Sequence, residues 1–438
     1  MDKSNKIFYG WLIAAASGLG IACGVAVLIP ATMGLLVGPL HSDLGWTSRQ
    51  IFLAPVFNTT GLVLVAPFIG GLVNRFGARR VICVSFAAEA LLIASFSQLD
   101  GDIHWYYARF AALALFASGT TSITFAAVIS RWFDRHRGLA LGIALAGYGM
   151  GGAVWSLLVR WLIDRLGWRD MFLCQAAIIA AIILPILLLY IRNEPASMGM
   201  RMDGMPDAGP EPHAGSEPLA ASKRAAAPRA GAGPAAEDER TSEGVTLKQA
   251  AAGGQYWLML ATFLLIGTAV TSVIFHLVPL LKARGESTQV ASEAQASLWA
   301  VLVVGRISTG WLMDRFFAPR VALACLVLPI AGISILAFGA TGGAAFCAAI
   351  MLGLAAGAEA DIIAYLVGRY FGLKHYAVIY ATYFSIYALG SGLGPAGTAW
   401  AVERAGGYTQ VLWVLAGVLI AAGILLLGFK PFPKAYRA

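Results

Sequence analysis

The chain has 438 residues, of which 59% are hydrophobic and only 12% charged, against roughly 25% charged residues in an ordinary soluble domain. That composition excludes a soluble globular protein and points to one embedded in a lipid bilayer. The formal net charge of +8 falls in short clusters between apolar runs, not on one face or arm, which argues against nucleic acid as a partner.

The N-terminus, Met1 to Trp11, carries two lysines and runs into a long apolar segment with no small-residue cleavage site. It reads as an uncleaved first span. Apolar runs of about 20 residues follow one another near 9–37, 47–73, 80–99, 105–130, 138–163 and 170–191, then near 255–281, 291–313, 319–339, 344–368, 376–402 and 408–429. Backbone polar groups in lipid must be satisfied within the segment, so these are helices. The period-two alternation of a barrel is absent. All five cysteines lie inside the apolar runs without CxxC spacing, which indicates neither a disulfide framework nor a metal site. No motif suggests a cofactor.

Between the sixth and seventh spans, residues 192–248 are dense in Ala, Gly and Pro with mixed charge. Such a stretch buries too little surface to fold alone. The chain therefore divides into an N-terminal six-helix bundle (1–191), a flexible cytoplasmic linker (192–250) and a C-terminal six-helix bundle (251–438). The loops after spans two, four, eight and ten are rich in Arg and Lys, among them Arg75, Arg79, Arg131, Arg315 and Arg369, and the opposite loops are poorer. The richer side is the cytoplasmic one, which puts both termini in the cytoplasm.

The two halves echo each other. Asn74-Arg75 recurs as Asp314-Arg315, Arg131-Trp132-Phe133 as Arg369-Tyr370-Phe371, and Gly167-Trp168 as Gly407-Tyr408, each about 240 positions later. Duplication of this kind is common in transporters, whose sites lie between the repeats.

Charged residues inside spans are the first candidates for a site. Arg306 lies eight residues before Asp314-Arg315, about 12 Å along a helix axis, near mid-depth of a bilayer core. Asp361 is eight residues from Arg369 and reaches the same depth, so an ion pair between the two is sterically possible. The unpaired acid, costly as an anion when buried, would take up a proton when a carboxylate displaces it from Arg306. Glu359 is about 200° from Asp361 around a regular helix, so the two are not expected to line the same surface; one of them couples the proton from the cavity, with Asp361 favoured and Glu359 the alternative. His276, near the outer end of the seventh span, is open to two readings, an interfacial residue or a proton relay. Tyr365, Tyr383 and Tyr387 in spans ten and eleven offer hydroxyls, with Tyr383 and Tyr387 on one face at i, i+4. Asn58 in the second span could face the cavity from the other half.

The run Gly70 to Arg80 resembles the loop signature of the major facilitator superfamily, and Gly310 to Arg320 resembles its second copy. Phe8-Tyr9-Gly10-Trp11, the loop Arg131 to Gly138, and the stretches Gly357 to Asp361 and Arg369 to Gly372 look like bacterial members of the oxalate/formate antiporter and monocarboxylate transporter group. The resemblance implies an all-α membrane protein of twelve transmembrane helices in two six-helix pseudo-repeats. It implies a monomeric, multi-pass secondary transporter of the bacterial inner membrane that moves a small carboxylate by alternating access, with a proton or counter-anion as partner. It makes Arg306 the arginine that pairs with the substrate carboxylate, and Asn74, Arg75, Arg79, Asp314, Arg315, Arg131 and Arg369 the cytoplasmic gate. Asn74 replaces the usual acid of the first loop copy, losing the charge-assisted share of that lock, roughly half its strength. Neither the first nor the eleventh span holds the lysine seen in relatives, which disfavours a dianion. An exporter of a larger amphipathic compound and a non-transporting membrane sensor stand as alternatives.

Overall fold

The computed structural model describes residues 8–133, 136–204, 244–372 and 375–433. Among the described residues twelve helices cross the molecule: α1 (Tyr9–Leu44), α2 (Ser48–Phe76), α3 (Ala78–Ser95), α4 (Ile103–Phe116 with Ser122–Trp132), α5 (Arg137–Leu166), α6 (Trp168–Tyr190), α7 (Gly254–Ala283), α8 (Thr288–Arg315), α9 (Ala318–Ala337), α10 (Gly342–Ala356 with Glu359–Phe371), α11 (Tyr376–Ala405) and α12 (Tyr408–Leu427). Nine of them are long and apolar enough to cross a membrane by themselves. The protein is a multi-pass, all-α membrane protein.

Local chemistry starts and stops these helices. Thr47 caps α2 reciprocally with Gln50, Asp102 caps α4 at the backbone of His104, and Ser287 caps α8 at Val290. A hydroxyl or carboxylate in this position satisfies a backbone N–H that has no helical partner. Single glycines make the tight turns between antiparallel neighbours: Gly77 (φ 82°) joins α2 to α3 and Gly167 (φ 84°) joins α5 to α6. A side chain is strained at such angles.

Four helices are interrupted, a feature the apolar runs did not disclose. Gly24, with extended backbone, divides α1, and Val25 N–H beyond it donates to Thr120 Oγ1 at 3.3 Å. Thr120 lies in the break of α4, so two interruptions meet there. Ala146 separates the two parts of α5. In α10 the break falls at Gly357-Ala358, about 240 residues after that of α4, so the pseudo-repeat extends to irregular backbone.

Contacts between the bundles gather on the side away from the termini, called here the far side. Gln295 Nε2 of α8 donates to the Pro30 carbonyl of α1 at 3.0 Å. The Arg49 amide of α2 donates to Glu403 of α11 at 3.2 Å. The ring of Phe52 lies 4.1 Å from that of His276. Trp299 of α8 rests on Gly149 and Gly152 of α5, where a Cβ would collide with it. On the terminus side the same helices splay: a Cβ at Gly142 of α5 or Gly310 of α8 would meet nothing within 4 Å, and Leu64 of α2 and Ile307 of α8 are 65% and 69% exposed.

The linker needs correction at both ends. Asn193 Oδ1 accepts from the Arg79 amide at 2.8 Å, Glu194 pairs with Arg131 at 3.2 Å, and Val245 N–H donates to Phe371 O at 3.0 Å ahead of a short capped helix, Leu247–Ala251. Polar side chains and backbone in these flanks have partners on the bundles, so 192–204 and 244–250 are folded onto them. Residues 205–243 of the expected linker lie outside the described residues.

Candidate functional site

A cavity of about 570 Å³ lies between the two bundles, walled by α1, α2, α4 and α5 on one side and by α7, α8, α10 and α11 on the other. Its surface is mostly apolar, with Ile29, Leu62, Ile123, Leu145, Ile274 and Phe384 among its walls. A few polar groups converge on it, the usual character of a small-molecule site.

Arg306 is the cationic residue of this lining. Its Nε donates to Asp361 Oδ2 at 2.6 Å and its Nη2 to Oδ1 at 3.3 Å, a two-pronged pair in which the planar fork matches the carboxylate. The two side chains keep 20% and 35% exposure, so the pair faces the cavity. Gly305 and Gly357 hold α8 and α10 close: their hypothetical Cβ atoms would strike Leu354 and Leu302 backbone. Small residues of this kind permit close helix crossing in a membrane. Asp361 and Glu359 occupy the first turn of the second part of α10, where the positive end of the helix dipole favours anions.

The structure corrects the expectation that Glu359 and Asp361 cannot share a surface. Both line the cavity. Both lie in the one helix Glu359–Phe371 and still point to different sides of it, Glu359 to Tyr387 of α11 and Asp361 to Arg306 of α8; the cavity is wide enough to reach both sides. Glu359 is buried, and Tyr387 Oη donates to its Oε2 at 2.6 Å.

Tyr387 and Asn58 line the cavity, and Asn58 Nδ2 donates to Phe110 O at 3.4 Å. Tyr383 does not: it is fully buried and donates to Tyr256 O at 3.0 Å. The cavity stripe of α11 is Tyr380, Phe384, Tyr387 and Ser391, and position 383 falls at its edge and turns toward α7. Tyr365 is also misplaced by the sequence argument. It accepts from Arg369 Nε at 3.3 Å and is absent from the lining. His276 stands apart as well, on the far side, where Nδ1 meets Tyr408 Oη at 3.0 Å and Nε2 the Pro395 carbonyl at 2.9 Å. That carbonyl follows the glycine-rich stretch Gly390 to Gly394 of α11, and the ring satisfies it.

Two residues escaped the sequence reading. Tyr148 of α5 has its ring 5.9 Å from the Arg306 guanidinium and donates to Ser122 Oγ at 3.1 Å. It is a contact of Arg306 with the opposite bundle. Tyr380, seven residues before Tyr387 and on the same face, also belongs to the lining. The i, i+7 spacing could have found Tyr380; Tyr148, alone among glycines, had no periodic signal.

The expected gate residues have partners within their own bundles. Arg79 Nη2 donates to Leu188 O at 2.6 Å, Arg131 pairs with Glu194, Arg75 lies over Phe76, Arg315 over Trp311, and Arg369 over Tyr365. The side chains of Asn74 and Asp314 lie outside the described residues.

The family model described as Major Facilitator Superfamily matches residues 10–395. Human monocarboxylate transporter 11 is 24% identical over 436 residues, 95% of this chain and 81% of that protein. Human monocarboxylate transporter 6 is 27% identical over 167 residues, a match spanning 38% of this chain and only 32% of that protein. Among solved structures, a bacterial homolog of the human lysosomal transporter Spinster, in an inward-facing and unoccupied conformation, covers 99% of this chain and 100% of its own at a TM-score of 0.69 and 16% identity. A D-xylose-proton symporter covers 98% and 99% at a TM-score of 0.66 and 15% identity.

Proposed function

The chain belongs to the major facilitator superfamily, and from that premise we propose that it is a secondary transporter of a small monocarboxylate, coupled to a proton or to exchange of anions. The observation that carries the proposal is the cavity-facing fork of Arg306, held by one displaceable acid. A single cationic fork balances one carboxylate, and Asp361 keeps it neutral when no substrate is present. An entering carboxylate takes Asp361's place on the guanidinium. Asp361 then sheds its unpaired charge by accepting a proton, so substrate and proton cross together with no net charge on the site. Tyr380 and Tyr387 supply hydroxyls beside the fork, and Tyr148 reports its occupancy to the other bundle.

In this reading the terminus side is cytoplasmic, because its loops hold the richer set of Arg and Lys, and the structure is the state open to the cytoplasm. The reverse state requires the splayed ends of α5 and α8 to meet, bringing Arg75, Arg79, Arg131, Arg315 and Arg369 toward the opposing loops. The similarity to monocarboxylate transporters, at low identity, supports the substrate class.

The test is uptake by the purified full chain in liposomes of labelled lactate, pyruvate, formate, oxalate and a branched hydroxy acid, with and without an inward proton gradient, beside Arg306→Gln. The expected outcome is saturable uptake of a monoacid, driven by the gradient and lost in the variant. If the variant carries the acid as well as its parent, Arg306 is structural and export of a larger amphipathic compound becomes the better reading.

A further inference from the structure

Behind the central cavity, inside the N-terminal bundle, is a second and smaller cavity of about 40 Å³. It is lined by Thr32 of α1, Glu89 of α3, Tyr106 of α4 and Gln175 of α6 among apolar walls. Glu89 has 0% exposure, and neither of its carboxylate oxygens has a hydrogen-bond partner of good geometry among the described residues: the hydroxyl beside it, Thr120 Oγ1, donates to the Ala117 carbonyl at 2.8 Å instead. Gln175 Nε2 is buried without a partner as well. Thr32 Oγ1 donates to Leu28 O at 2.7 Å and Tyr106 Oη to Met33 Sδ at 3.4 Å, which leaves both oxygens free to accept. The titratable groups around Glu89 are Cys23 of α1 and Tyr106 of α4; no Lys, Arg or His lines the cavity.

A buried carboxylate with no countercharge is among the costliest groups a protein can hold, and a chain that only packed helices here would do better with leucine. The cavity is large enough for a water molecule and polar enough to retain one. Its position is the second observation. Val25 and Ile29 line this cavity and the central one alike, so a single layer of side chains separates Glu89 from the substrate space. That layer begins at the break of α1 at Gly24, where Val25 N–H is held by Thr120 Oγ1 rather than by its own helix, and Thr120 lies beside Glu89.

We propose that Glu89 and its hydrated pocket form a proton-binding site of the N-terminal bundle, which exchanges its proton with the central cavity across the Val25–Ile29 layer. The site is distinct from the Arg306–Asp361 pair. It rests on the transport reading only for its role in coupling, not for its existence.

The site is tested on the full chain reconstituted in liposomes, by infrared difference spectra between mildly acidic and mildly alkaline pH, for the parent, Glu89→Gln, Glu89→Asp and Arg306→Gln. The expected result is a protonated-carboxyl stretch that fades as pH rises, is missing in Glu89→Gln, is shifted in Glu89→Asp and persists in Arg306→Gln. A parent spectrum indistinguishable from that of Glu89→Gln, or a Glu89 band that does not respond to pH, overturns the proposal. So does loss of the band on adding sodium at fixed pH, which would assign the pocket to a metal cation. Thermal unfolding of each variant checks that the bundle is intact. In uptake assays Glu89→Gln is expected to lose accumulation driven by a proton gradient and keep exchange of labelled for unlabelled acid. Because the spectra need no substrate, failure of the carboxylate reading and failure of this site are seen in separate measurements.

Discussion

At the scale of single residues, the fork geometry of Arg306 makes a prediction that charge alone does not. Arg306→Lys keeps the cation but cannot donate two parallel hydrogen bonds. Losing one charge-assisted bond costs about 1.5–3 kcal/mol, so the apparent affinity for the carboxylate should fall roughly tenfold to a hundredfold, read from the concentration dependence of uptake. In the proposed cycle, Asp361→Asn removes the group that exchanges a proton for the substrate's charge. Uptake by this variant should no longer respond to the proton gradient, while anion exchange continues. If Glu359→Gln abolishes the response and Asp361→Asn does not, the roles of the two acids are exchanged. Tyr148→Phe keeps the ring beside Arg306 and should behave much like the parent. Tyr148→Ala removes a cation–π contact of about 0.5–2 kcal/mol, and its weakened binding would be seen in the same titration.

At the scale of helices, close approach of α5 to α8 depends on Gly149 and Gly152 beneath Trp299. Overpacking such a crossing costs about 1–3 kcal/mol, and here the cost falls on the state sealed at the far side. Gly152→Val should therefore shift the protein away from that state. In a cysteine-free background, a disulfide placed at Arg49→Cys and Glu403→Cys, whose parent residues touch across the bundles, should form in lower yield with Gly152→Val present. Equal yields with and without it would mean that this crossing does not set the seal. The break of α10 acts on the same scale: it starts a new helix at the cavity wall, with Glu359 and Asp361 in its first turn.

At the scale of the whole molecule, the proposed rocking of two bundles requires a connection that does not restrain them. The chain between the folded flanks, 205–243, is dense in Ala, Gly and Pro. Its replacement by a Gly/Ser sequence of equal length should leave uptake unchanged, within roughly twofold. A loss of transport by a protein that still unfolds at the parent's temperature would show that this segment takes part in the cycle.

The sequence alone determined the class, the division into two six-helix bundles and their duplication, because length and hydropathy are local properties that lipid reads directly. It also placed Arg306 and Asp361 at one depth, since helical rise from a charged end is a fixed ruler. Rotation about the helix axis is another matter. Tyr383 and Tyr365 were assigned to the cavity and face α7 and Arg369 instead, while only one of Glu359 and Asp361 was expected to line it and both do. His276 was read as a surface residue or a relay and sits among Phe52, Tyr408 and the Pro395 carbonyl. Only the tertiary structure decided these, because the rotation of a helix about its axis is set by what it packs against, and because broken backbone, as at Gly24, 117–121 and Gly357-Ala358, resets the register of the segment that follows. Such breaks are stabilised by partners far away in the chain, as Val25 is by Thr120, and leave no local mark in composition.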